Sequence, residues 1–129
     1  MAATSRNGSL YAAYPDKSRH LTLATQSKGS STWTTEVVKS DGETGSYASI
    51  AVESDGSVHI VHYDRNAKGL MHSARKGSAW THTLIGERLS ESRLVQGSDG
   101  SLHLAALTWD EESRSDSLTY GKYSGGKWS

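Results

Sequence analysis

The segment Ser54-Asp55-Gly56-Ser57-Val58-His59-Ile60 returns as Ser98-Asp99-Gly100-Ser101-Leu102-His103-Leu104 and, more loosely, as Ser5-Arg6-Asn7-Gly8-Ser9-Leu10-Tyr11. A chain of 129 residues that nearly repeats itself three times is expected to fold as copies of one supersecondary unit. Such a unit is too small to bury its own apolar side chains, so each copy depends on its neighbours for cover.

The tryptophans keep the same beat. Trp33, Trp80 and Trp128 lie 47 and 48 residues apart, each after a small polar cluster, and the turn glycines Gly8, Gly56 and Gly100 lie 48 and 44 apart. No stretch sustains apolar residues at helical spacing, so a helical repeat is disfavoured. A period of this length with several short strands per copy points to the blades of a β-propeller.

The middle copy reads as a four-stranded antiparallel meander: a strand from Tyr47 to Glu53, a turn at Asp55-Gly56, a strand from Ser57 to Tyr63, a polar turn, Leu70 to Arg75, a second turn, and Ala79 to Ile85. Asp-Gly tolerates the positive φ that a tight hairpin demands. Alternation along the second strand puts Val58, Ile60 and His62 on one face and His59, Val61 and Tyr63 on the other. Both faces are fairly apolar, as a sheet held between two others requires. The first copy supplies Leu10 to Tyr14, Leu21 to Thr25 and Trp33 to Val38, and the third Leu102 to Leu107 and Leu118 to Lys122. The expected fold is all-β: one partial propeller domain over 1–129 with repeats of approximately 1–38, 39–85 and 86–129.

The first copy enters partway along a first strand, Ala2-Ala3-Thr4-Ser5, and the last stops at Trp128-Ser129 where a fourth strand should begin, so one outer strand is expected to be missing from the set. Three blades leave two sheet faces uncovered. Two solutions are open: oligomerisation or membership of a longer parent. Two chains would give six blades, an ordinary number, and three would give nine, so a two-fold homodimer is the preferred closed assembly.

Only 34% of the residues are hydrophobic, Phe is absent and Gly numbers 13, which suits short strands joined by turns. Lys and Arg together number 14 and so do Asp and Glu, interspersed and without a basic run. Binding to nucleic acid through phosphate neutralisation is therefore not expected. No segment has the length and apolarity of a membrane span or the apolar centre of a signal peptide. The absence of cysteine excludes disulfides and thiolate chemistry and leaves the compartment open.

Ser73-Ala74-Arg75-Lys76-Gly77-Ser78-Ala79-Trp80 resembles the Asp-box, S-x-D-x-G-x-T-W, with Arg75 in place of the Asp and Ala79 in place of the Thr. Thr25 to Trp33 keeps the Gly, Thr and Trp with one extra residue, and Gly121 to Trp128 keeps Gly125 and Trp128. The chain is thus similar to BNR-type, sialidase-like propeller proteins, a group of sialidases, polysaccharide lyases, lectins and proteins without assigned activity. The resemblance implies a packing role for Trp33, Trp80 and Trp128, and a substantial loss of stability, about 3–5 kcal/mol, for Trp80→Ala. A sialidase would need an arginine triad, a tyrosine with a glutamate, and an acid-base aspartate. The arginines here are scattered over turns and strand edges, and no catalytic set can be assigned.

His59 and His103 recur at one repeat position, where the first copy has Tyr11, and His62, Tyr63 and His72 gather in the middle copy. Such residues can line a sugar site, act as base and acid in a lyase, or sit half-buried and bond to neighbouring backbone. Recurrence favours packing or ligand contact over catalysis. Metal is not expected: His59 and His62 point to opposite faces, and neither Asp41-Gly42-Glu43 nor Asp110-Glu111-Glu112 has calcium-loop spacing. Trp109, the one tryptophan outside the repeat, is read as part of a loop running to Ser117 and as a candidate sugar platform.

The ligand candidates are therefore His59, His62, Tyr63, His103 and Trp109, with no cofactor. Three functions stay open: a non-catalytic, carbohydrate-binding, self-assembling module; a fragment of a BNR-type glycosidase or polysaccharide lyase; and a purely structural unit whose only activity is ring assembly.

Overall fold

Positive φ decides where the chain turns back on itself. Asn7 and Gly8 adopt φ 52° and 81°, the signature of the two-residue turn that joins antiparallel strands with the right twist. Gly56 and Gly100 stand at 88° and 80° in slightly wider turns, in which Asp55 and Asp99 accept the backbone N–H of Ser57 and Ser101 at 2.9 and 3.0 Å.

The computed structural model describes all 129 residues as twelve strands. Strands β1 (Ala2–Arg6), β2 (Ser9–Pro15), β3 (Leu21–Gln26) and β4 (Thr34–Lys39) form the first antiparallel sheet. The second is β5 (Thr44–Val52), β6 (Val58–Asp64), β7 (Gly69–Lys76) and β8 (Ala79–Glu87). The third is β9 (Leu89–Gln96), β10 (Leu102–Asp110), β11 (Ser115–Ser124) and the two-residue β12 (Lys127–Trp128). Each is a meander in sequence order, the four-stranded unit expected from the repeat.

Alternation assigns two faces to every sheet. The leading face, turned toward the next sheet, carries Tyr11 in the first, His59 in the second and His103 in the third. The trailing face carries Leu10, Ile60 and Leu104. Between the first and second sheets, Ala13, Leu21, Leu23 and Val38 meet Ile50, Val52, Val58 and Ile60 in one core. Between the second and third, Ala51, Val61 and Leu70 meet Leu94, Leu102, Leu104 and Ala106 in another. The molecule has two cores because it has two sheet-to-sheet joints.

A tryptophan from the following sheet closes each joint. Trp80 packs against the first core, lies under the Arg75 guanidinium at 5.2 Å and donates its indole N–H to Glu36 at 3.1 Å. Trp80 remains half-buried, so Trp80→Ala is expected to cost about 2 kcal/mol in urea denaturation, less than the full enclosure assumed from sequence would give. An unchanged unfolding midpoint would contradict that placement.

Trp109 requires a correction. It is a strand residue, paired across β10 and β11 with Asp116, because that ladder runs on to Asp110 and Ser115. The loop is only the tight turn between those strands.

Candidate functional site

The hairpin turns at one end of the second and third sheets frame a groove of about 600 Å³. Asp55 and Ser57 border it from β5–β6, Lys76 from β7–β8, Asp99 and Ser101 from β9–β10, and Gly125 from β11–β12. Its floor holds Glu53, His59 and Tyr123. The repeat itself builds this rim, since the Asp-Gly-Ser turn occurs in both sheets.

Beneath the groove, four side chains form a hydrogen-bonded chain across the joint. Indole nitrogen can only donate, so Trp128 Nε1–H donates to Nδ1 of His72 at 3.1 Å. Nε2 of His72 then carries the proton and donates to Nδ1 of His59 at 3.0 Å, leaving Nε2–H of His59 to donate to Glu53 at 2.9 Å. Both tautomers are thereby fixed. The two imidazoles stack at 5.2 Å and 18°, with Tyr123 and Trp128 set against the His72 ring edge-on at 4.8 and 5.4 Å. Burial pushes His72 down to about 3, helped by the neighbouring histidines, and burial also lowers His59 against the pull of Glu53. With every ring nitrogen engaged and basicity suppressed, neither histidine has a lone pair or proton to offer a substrate.

The groove rim is charged. Asp99 is held down to about 2 by the side chain and backbone N–H of Ser101, and hydrogen bonding to Ser57 lowers Asp55. Lys76 stands near Asp55 and Lys122 lies 3.5 Å from Asp99, whereas the Arg75 guanidinium turns away to pair with Glu36 of the first sheet. Acceptors, a donor and the Tyr123 ring therefore line one concave surface, which offers hydrogen bonds together with an aromatic face.

The residues singled out from sequence do not form one site. His59 lies in this groove and is buried. His62 is on the opposite face, fully buried, between Thr44 Oγ1 at 2.8 Å and Ser73 Oγ at 2.9 Å, and burial pushes it down to about 4. Tyr63 lies at the far end of its strand beside Tyr47, edge to face at 6.5 Å. There it borders a second cavity of about 430 Å³ in which Glu43 bridges Arg19 and Arg65 at 2.6 and 2.7 Å. His103 and Trp109 stand on the leading face of the third sheet, which nothing in the chain covers. Sequence reasoning missed Glu53, Asp99 and Tyr123 as groove residues. The recurrence of Asp55 at Asp99 was the available signal, absorbed by its turn role.

Two solved structures share this architecture. A fucose lectin from Kordia zhangzhouensis, in complex with methyl-fucoside, superimposes with a TM-score of 0.60 at 14% identity, over 99% of this chain and 94% of its own. The Hadza microbial sialidase Hz136 gives 0.69 at 13% identity, over 98% of this chain and 35% of its own. The chain has the β-propeller fold. Its three sheets are blades, and it spans about a third of that sialidase. At these identities the likeness is one of fold. No protein-family model and no curated protein matches the sequence, so membership of the BNR group has no support beyond the degenerate repeat.

Proposed function

We propose that this chain is a non-catalytic propeller module that binds carbohydrate in the groove between its second and third blades and associates with further copies of itself through blade-to-blade contacts. The observation that carries the reading is the groove itself. Carboxylates, a lysine and an aromatic ring surround a concavity whose histidines are all engaged in holding the two blades together. Such a surface suits reversible capture of hydroxyl groups. The fucose lectin adds support, because almost its whole length is matched by a chain of this size.

Binding is tested on a glycan array followed by titration calorimetry with free sugars. Lys76→Ala changes an exposed rim side chain and is expected to weaken binding about tenfold or more while leaving the melting temperature in place, since hydrogen bonds to charged groups are worth about 1.5–3 kcal/mol. A blank array with an intact assembly would favour the purely structural unit.

A second reading is favoured by the sialidase likeness, which has the higher TM-score: the chain as part of a larger ring with glycan-active chemistry supplied elsewhere. That reading predicts turnover only when further blades are added.

A further inference from the structure

Both joints inside the chain are closed by a tryptophan from the trailing face of the following blade, and that rule is left half-satisfied at both ends. Trp128, from the trailing face of the third blade, sits against the stacked pair His59–His72 on the leading face of the second. On the third blade the same repeat positions hold His103 and Tyr120, also stacked, at 6.0 Å and 29°. Nothing in the chain lies on that pair, and Tyr120 is 62% exposed.

The missing tryptophan is at the other end. Trp33 occupies the repeat position of Trp80 and Trp128 and is 49% exposed. The structure supports the equivalence independently of sequence: the next residue, Thr34, donates its hydroxyl to the Thr25 carbonyl at 3.2 Å, as Thr81 does to Ala74 at 3.3 Å. Alternation from Thr34 places Trp33 on the uncovered trailing face of the first blade.

The hydrogen-bond polarity matches as well. Ser101 donates to Asp99 at 2.5 Å, so its oxygen accepts from Nε2–H of His103 at 2.9 Å, and Nδ1 of His103 accepts the hydroxyl proton of Tyr120 at 2.7 Å. The Tyr120 oxygen still has a lone pair for a donor. In the internal joint, the donor at that place is the indole N–H of Trp128 on His72.

Exposed apolar side chains gather on the same two faces. Leu10 and Val37 accompany Trp33 on the first blade, and Val95, Trp109 and Leu118 accompany Tyr120 on the third. These two faces hold seven of the ten exposed large hydrophobic residues in the chain, a concentration that marks an association surface.

We infer that two copies join head to tail, the trailing face of the first blade of each docking on the leading face of the third blade of the other, with Trp33 seated on the His103–Tyr120 pair. Both joints form at once about a two-fold axis and close a six-bladed ring. The new joint brings Asp99, Ser101 and Lys122 of one copy against the Asn7-Gly8 turn of the other, completing a further groove that a single chain lacks. The inference deepens the self-association proposed above and specifies its contacts.

The test uses the full chain without sugar, so its outcome is separate from that of glycan binding. Light scattering coupled to size exclusion over a dilution series is expected to give a dimer. Trp33→Ala and Tyr120→Ala should each weaken it at least about thirtyfold, as hot-spot aromatics do, with the fold retained by circular dichroism. The chain has no cysteine, so Trp33→Cys and Tyr120→Cys variants mixed under oxidation should cross-link to each other and neither to itself. A monomer at all concentrations, a dimer indifferent to both alanine variants, or a mixture that fails to cross-link would overturn the inference.

Discussion

Lys39→Met is expected to destabilise the chain by about 3–5 kcal/mol, the cost of leaving a buried charge without its partner. Lys39 ends the outer strand of the first blade, and its ammonium lies 3.0 Å from Asp64 of the second and 2.5 Å from Asp41. Its side chain is 8% exposed and that of Asp64 2%. Burial works against the lysine charge, yet hydrogen bonds to Asp41 and Asp64 outweigh it and raise the lysine above its usual range. Asp64 also accepts the Ala67 N–H at 2.9 Å, which holds the following turn. Removing the lysine strands that carboxylate between two blades, whereas the double variant Lys39→Met with Asp64→Asn removes both charges and keeps an acceptor for Ala67. Urea denaturation should therefore place the double variant well above the single one. A single variant within about 1 kcal/mol of the parent would show that water reaches this pair.

Acidification from pH 7.5 to pH 5 should have an effect of similar size. His62 and His72 are held neutral by burial, down to about 4 and about 3, whereas an unfolded histidine titrates near 6.5. Between those limits the unfolded chain binds protons that the folded chain refuses, so stability is complete above about pH 6.5 and falls as the pH drops toward the folded values. At about 1.4 kcal/mol per unit, each histidine removes on the order of 2 kcal/mol by pH 5. His59 and His82, lowered chiefly by burial, change stability in the same direction. The joint between the second and third blades should loosen first, since a proton on Nδ1 of His72 would face the indole N–H of Trp128 donor to donor. Urea midpoints measured across this range by tryptophan fluorescence check the prediction. A flat profile from pH 7.5 to 5 would mean that these histidines are reached by solvent.

Much of the fold was legible because the repeat, the turn glycines and strand alternation are local signals. They put His59 and His62 on opposite faces, as found, and located most strands to within a few residues. Strand β9 escaped notice because Ser90-Glu91-Ser92-Arg93 looks like a loop. Its backbone pairs with β10, and the Leu94 N–H, next along the strand, donates to Ser49 Oγ of the second blade at 2.8 Å. Trp109 was misplaced because the acids that follow it suggested an early turn. The groove was harder still. Trp128 and His72 stand 56 residues apart, and the contact exists only once two blades stack. Recurrence marked His59 and His103 as equivalent, but only the structure reveals that one is covered and the other is not.

The central claim is that sugar occupies the groove between the second and third blades, and chemical-shift mapping of the isotope-labelled chain addresses it most directly. Methyl-fucoside, galactose, mannose, N-acetylglucosamine and sialic acid would each be titrated in turn. At least one is expected to shift the amides of Asp55 to Ser57, Asp99 to Ser101 and Ser124 to Gly126 together and saturably. Shifts confined to Arg19, Glu43 and Arg65 at the other cavity, or none with any sugar, would contradict the assignment.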